Sequence, residues 1–195
     1  NSIIDSIPDI GIGDVYVIAG QSNAVGQGDN TNVYTHASLK ATAYNESDSW
    51  IEGNDPLDIE SIKGSPWPLL ASYIMNDQNV PVAFITTARG GTGLFDPADW
   101  LPPTGAEYLN MLEQISDSKV GGVKAILFHQ GERDIVSQVS QSDYNNALDT
   151  LASAIQTDVS GTPLFVVGQV GYQTSGDPTF AEIDAIRLAQ SEAWD

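Results

Sequence analysis

Three short polar stretches hold the residues of this chain whose types and spacing suit catalysis: Gly20-Gln21-Ser22-Asn23, Thr87-Ala88-Arg89-Gly90-Gly91-Thr92-Gly93 and His129-Gln130-Gly131-Glu132-Arg133-Asp134. Each directly follows an apolar run. Acyl transfer needs a nucleophilic hydroxyl, and N–H donors aimed at the oxygen that turns negative in the tetrahedral intermediate. Ser22 supplies the hydroxyl. Its own backbone N–H, those of Gly90 or Gly91 and the side-chain amide of Gln130 are candidate donors, glycine admitting the main chain where a Cβ would block it. Gln21, Asn23, Arg89 and Thr92 flank these groups as candidate substrate contacts. Taken singly, each corner reads as a turn, a tight bend or a surface loop. Their joint placement after successive strands points to one site.

The strands that must bring these corners together are legible as four β-branched apolar runs, Val15 to Ala19, Val80 to Thr86, Val123 to Phe128 and Leu164 to Val170, each reading as buried on both faces. Helical patterns separate or follow them. Pro68 to Asn76 carries Leu69, Leu70, Tyr73 and Ile74 on one expected inner side. Thr104-Gly105-Ala106-Glu107 reads as a capping box ahead of Tyr108, Leu112 and Ile115. Tyr144, Leu148, Leu151, Ile155 and Val159 form another stripe, and Thr179 to Glu182 caps a last helix with Ile183, Ile186 and Ala189 inward. Strands alternating with helices predict an α/β fold of three layers, a parallel sheet with helices on both faces and right-handed crossovers. The order places Val15 to Ala19 between Val80 to Thr86 and Val123 to Phe128, with Leu164 to Val170 outside the latter. The crevice of such a sheet lies at the carboxyl ends of its strands, where the three corners converge. Residues Gln27 to Lys63 read as a long loop region with one short edge strand near Ala41 to Tyr44, placed to wall the site.

At 195 residues the chain has the size of a single domain, and its charge of −19, from 7 basic and 26 acidic residues, opposes phosphate backbones and anionic membrane surfaces. Nucleic acid and membrane are not expected partners, and no apolar run approaches the ~20 residues of a membrane span. The acidity suits a salty or extracellular setting, so a secreted protein is expected. The absence of cysteine excludes disulfides, thiolate metal sites and cysteine nucleophiles. Asp29, Thr31 and Asn32, or Asn45, Ser47 and Ser49, lack the glycine and terminal glutamate of a calcium loop, so neither a metal nor a cofactor is expected. A first residue of Asn1 rather than Met fits a cleaved leader, a processed precursor or an excised domain equally well.

The three corners resemble, in order, the first three sequence blocks of the SGNH hydrolase superfamily, most closely its sialate O-acetylesterase-like branch, which includes acetylxylan esterases of carbohydrate esterase family six. The resemblance runs from about Asp14 to the chain end, through Pro66 to Ile74 and the late helix Ile186-Arg187-Leu188-Ala189-Gln190. It implies a flavodoxin-like SGNH fold and an activity on O-acetyl esters of sugars, small or polymeric, through an acyl-enzyme. It further implies Ser22 as nucleophile, Gly90-Gly91 and Gln130 as oxyanion hole, and Glu132 as an acidic group that orients neighbours or supports the base. The family completes its triad with Asp-x-x-His on a loop after one more strand. This sequence contains only His36 and His129, neither in that motif, and the last strand and its Asp-x-x-His loop are missing from it.

Three expectations follow. The motif lies on a segment outside this sequence; the chain is a degenerate, non-catalytic carbohydrate-binding or structural module; or one of its histidines substitutes. His129 adjoins Gln130, and neighbouring strand residues face opposite sides, so its ring is expected to pack beneath the site. Trp50, Trp67, Trp100 and Tyr172 are candidates for a sugar-stacking rim, with Trp67 the best fitted to the core and Trp100 the best fitted to the rim. Arg89 and Arg133 either hold a substrate carboxylate or pair internally with Glu132 or Asp134.

Overall fold

A computed structural model describes residues 12–61, 63–171, 176 and 178–193. Its sheet has six strands in the order β3-β2-β4-β1-β5-β6, formed by β1 (Asp14–Gly20), β2 (Ala41–Asn45), β3 (Ser49–Glu52), β4 (Val82–Thr86), β5 (Ala125–His129) and β6 (Leu164–Gly168). All neighbours are parallel except β2 and β3, an antiparallel hairpin. The expected order of the four apolar runs is therefore observed; the strand expected near Ala41 is present, but it is an inner strand, since β3 pairs along its outer side and takes the edge. The hairpin's second strand was missed. Its signal was a polar turn, in which Asn45 Oδ1 accepts from Ser47 N at 3.1 Å and Asp48 takes φ +51°.

Among the described residues six helices complete the layers: α1 (Ser22–Val25), α2 (Trp67–Gln78), α3 (Ala106–Asp117), α4 (Glu132–Val136), α5 (Gln141–Asp158) and α6 (Phe180–Glu192). Alternation along the strands sends Val17, Ile85, Ile126, Phe128 and Val167 towards α3, α5 and α6. Tyr16, Ile18, Phe84 and Ala125 face α1 and α2. Two hydrophobic cores thus sandwich the sheet. The stripes Tyr144 to Val159 and Ile183 to Ala189 are buried as expected, and the capping box forms at Thr179 and Glu182.

Three local expectations fail. Helix α2 buries Trp67, Ala71 and Met75, packs Leu70 and Ile74 partly against the same core, and turns Leu69 and Tyr73 to solvent, as Trp67 Nε1 donates to Ala24 O at 2.7 Å and fixes the helix rotation. Thr104 does not cap α3. The N-cap is Gly105, one residue later, and a Cβ there would lie 2.4 Å from Asp99 O. The Glu107 carboxylate meanwhile turns towards Arg89. Strand β6 is an end strand with Leu164 exposed rather than a strand buried on both faces.

Candidate active site

The carboxyl end of β1 shows why the chain turns where it does. Gly20 sits at φ +125°, and a Cβ on it would lie 2.0 Å from the carbonyl oxygen of His129. Only glycine lets β1 and β5 run side by side to this point. Gln21 N then donates to His129 O at 3.1 Å, and Ser22 opens the single turn of α1. From the other side, Arg89 N donates to Gly20 O at 3.0 Å. Backbone hydrogen bonds therefore join all three corners within two residues of Ser22.

Side chains complete the lacing. The buried Gln21 Oε1 accepts from Arg133 N at 3.0 Å and from Gln130 Nε2 at 3.2 Å. Gln130 Nε2 also reaches Thr92 O at 3.1 Å and the carboxylate of Asp134. Its Oε1 accepts from Tyr144 OH at 2.9 Å. Gln190 Nε2 of α6 donates to Gln130 O at 2.6 Å. Gln130 is fully buried, and its two amide hydrogens face three protein acceptors. It ties the corners together from beneath, in place of the expected role as an oxyanion donor.

Above this knot lie groups that protein atoms leave uncommitted. Ser22 is half-buried, and its hydroxyl has no hydrogen-bond partner among the described residues. The N–H groups of Ser22, Gly90 and Gly91 likewise donate to no acceptor among them. Gly91 takes φ +79°, and Cβ atoms on Gly90 and Gly91 would meet open space. Asn23 Nδ2 donates to Glu132 Oε1 at 2.5 Å, which brings the first residue of α4 beside the serine turn. The other oxygen, Glu132 Oε2, is buried without a partner.

Several expected substrate contacts have other tasks. Trp100 is fully buried, packs edge-on to Phe128 at 5.4 Å and donates from Nε1 to Thr92 Oγ1 at 2.9 Å, so it forms no rim. Thr92 is buried too, and its hydroxyl donates to Arg89 O at 2.8 Å. Arg89 pairs with Glu46 at 2.8 Å, with Glu60 and with Glu107 at 3.6 Å. The anticipated partners Glu132 and Asp134 are not used. Burial pushes the Glu46 and Glu107 carboxyls up, although the guanidinium pulls each the other way. Arg133 is exposed and makes no ion pair among the described residues. Trp67 belongs to the core, Trp50 is 44% exposed on the hairpin, and Tyr172 lies outside the described residues.

Asp134 is the residue whose importance the sequence did not show. Its buried carboxylate accepts from Leu94 N and Phe95 N, both at 2.9 Å, as well as from Gln130. Burial raises its affinity for a proton against the pull of these donors. Tyr144 and Gln190 were read as core and as part of a helix, and they prove to hold Gln130.

Neither histidine bonds Ser22. His36 Nδ1 accepts from Leu39 N at 2.8 Å and Ser38 N at 3.2 Å. It borders a groove of about 650 Å³ with Tyr34, Lys40 and Glu52. That groove lies at the amino end of β2, across the sheet from Ser22. The ring of His129 lies over Gly168 of β6, whose Cβ would be 3.2 Å from it.

Comparison with known proteins decides the family. Residues 12–194 match the family described as carbohydrate esterase, sialic acid-specific acetylesterase. The chain belongs to this family. It is 26% identical over 201 residues to a probable carbohydrate esterase of Arabidopsis thaliana, At4g34215, across 90% of this chain and 74% of that protein. The crystal structure of an Arabidopsis thaliana protein, AT4G34215, superposes with a TM-score of 0.74 at 22% identity, over 93% of this chain and 81% of that one. NanS gives 0.65 at 14%, over 93% and 72%. XAC1771, a carbohydrate acetylesterase from Xanthomonas citri, gives 0.67 at 16%, over 93% and 47%. At these identities the structures establish a shared fold, a mixed α/β sheet flanked by helices that is consistent with the SGNH-like arrangement.

Proposed function

We propose that this carbohydrate esterase removes O-acetyl groups from sugars through an acyl-enzyme on Ser22. The observation that carries the reading is the set of uncommitted groups at the three corners: one hydroxyl on Ser22 and unpaired N–H groups on Ser22, Gly90 and Gly91. Ser22 Oγ attacks the acetyl carbonyl as its proton passes to a base. The carbonyl oxygen becomes an oxyanion facing the free N–H groups. Collapse expels the sugar hydroxyl, which takes the proton back, and water then releases acetate by the same steps in reverse. Glu132, held by Asn23 with one oxygen unpaired, is the acid placed to orient the base.

A second reading has its own observation. No histidine hydrogen-bonds Ser22 among the described residues, and without a base the same cleft binds acetylated sugar and leaves it intact. The deciding experiment follows release of p-nitrophenol from p-nitrophenyl acetate and of acetate from acetylated oligosaccharides, with wild type and Ser22→Ala. It also follows labelling by a fluorophosphonate, read by intact mass. Turnover that falls at least about 10³-fold in the variant, with labelling lost, supports the esterase. Equal rates with sugar still bound support the binding module.

A further inference from the structure

The Gly90-Gly91 corner hangs between two anchors. On one side Thr92 bonds Arg89 O and receives Trp100 Nε1, and Gly93 N donates to Asp99 Oδ2 at 2.8 Å. On the other stands Arg89 alone, its N–H on Gly20 O and its guanidinium among Glu46, Glu60 and Glu107. Those carboxylates come from three separate segments: the β2–β3 turn, the loop before α2, and the first turn of α3. Between the anchors, Gly90 and Gly91 are exposed, and Cβ atoms on them would meet nothing within 4 Å, so no side-chain packing restrains them.

We propose that Arg89 is a positioning residue, whose three-carboxylate clamp fixes the direction of the Gly90 and Gly91 N–H groups, and that it does not contact substrate. The inference rests on the esterase reading for its catalytic consequence alone. Two glycines in sequence are the least restrained dipeptide the chain can offer. Donors that stabilise an oxyanion must be in place before the charge develops, since reorganising them during the reaction forfeits the benefit. A guanidinium has donors enough for several carboxylates in fixed geometry, whereas an ammonium presents a point charge on a flexible stem. The clamp also over-determines the residue: losing one acid leaves two. Three acids around one guanidinium also leave the cluster without net positive charge for a substrate carboxylate.

The test compares wild type with Arg89→Met, Arg89→Lys and Glu60→Gln. Backbone ¹⁵N relaxation is read at Gly90 and Gly91, beside kcat and KM for p-nitrophenyl acetate, which has no anionic group. In Arg89→Met the two glycine amides should change from rigid to mobile. Their ¹⁵N order parameters should fall from about 0.85 to below about 0.6, and kcat should fall about 10- to 100-fold while KM stays within about 2-fold. Arg89→Lys should fall between. Glu60→Gln, altered at the partly exposed end of the clamp, keeps the fold and should loosen the glycines measurably but less. Unchanged relaxation at Gly90 and Gly91 in both Arg89→Met and Glu60→Gln overturns the inference. So does a loss confined to KM for acidic sugar esters. If wild type fails to turn over ester, the esterase reading falls, and the relaxation data still decide the clamp.

Discussion

The carboxamide oxygen of Gln21 accepts a hydrogen bond from the backbone N–H of Arg133 at 3.0 Å, across 112 residues of sequence. One neutral side chain on the β1 corner thereby fixes the start of α4 and, through it, Glu132. Gln21→Leu fills the same space without the acceptor. It leaves the Arg133 N–H unpaired, while the Gln130 amide keeps Thr92 O and Asp134 as acceptors, at a cost of about 1–3 kcal/mol. Urea unfolding should show a lowered midpoint with an unchanged slope.

Gly20→Ala meets a harder limit. Its Cβ would lie 2.0 Å from His129 O at a φ of +125°, so the strand ends must part before it fits. Ala at Gly90 meets open space. Expression and circular dichroism of the two variants should separate them: Gly20→Ala fails to give a cooperative fold, and Gly90→Ala melts close to wild type.

Asp134→Asn removes one of two acceptor oxygens that serve three donors, and the new amide hydrogens face Leu94 N or Phe95 N. A loss of about 1–3 kcal/mol at neutral pH is expected from the unpaired buried groups.

The pH dependence has a definite sign. Burial raises the Asp134 pKa, so the folded chain holds this proton more tightly than the unfolded one. Asp134 therefore favours the fold below its unfolded pKa, and the benefit is lost as pH rises through the folded value. Tyr144 and Glu132 are the other ionisable groups of this buried neighbourhood. Stability of wild type relative to Asp134→Asn should grow on acidification from neutral towards about pH 4, checked by chemical unfolding at each pH.

Tyr144→Phe isolates the support beneath Gln130. The hydroxyl serves Gln130 O and Oε1 and receives Gln190 Nε2. Its removal should cost about 1–3 kcal/mol without altering the ring's place in the core, as calorimetry and a crystal structure of the variant would show.

How far the sequence could be read follows the type of interaction. Hydrophobic period revealed β1, β4, β5 and β6, their order and the buried faces of α5 and α6, because a stripe such as Tyr144 to Ile155 has only one way to be buried. It failed on α2, where a single hydrogen bond from Trp67 to Ala24 O outweighs the apolar count on the other side. The corners were legible as a set. The direction of each side chain within them was not, since it depends on partners far along the chain: Gln130 turns down to Gln21 and Tyr144, Arg89 outward to Glu46, Glu60 and Glu107, and Trp100 into the core. A polar residue in a loop motif looks the same in sequence whether it faces ligand or scaffold.

The hairpin of β2 and β3 adds a meaning to the clamp. Glu46 sits in its turn, at the carboxyl end of a strand hydrogen-bonded to β4. The outermost part of the sheet, far from Ser22 in strand order, is thus mechanically continuous with the loop that would receive the oxyanion. Lengthening or shortening that turn would act as a tuning screw on the corner, without touching any residue that meets the substrate.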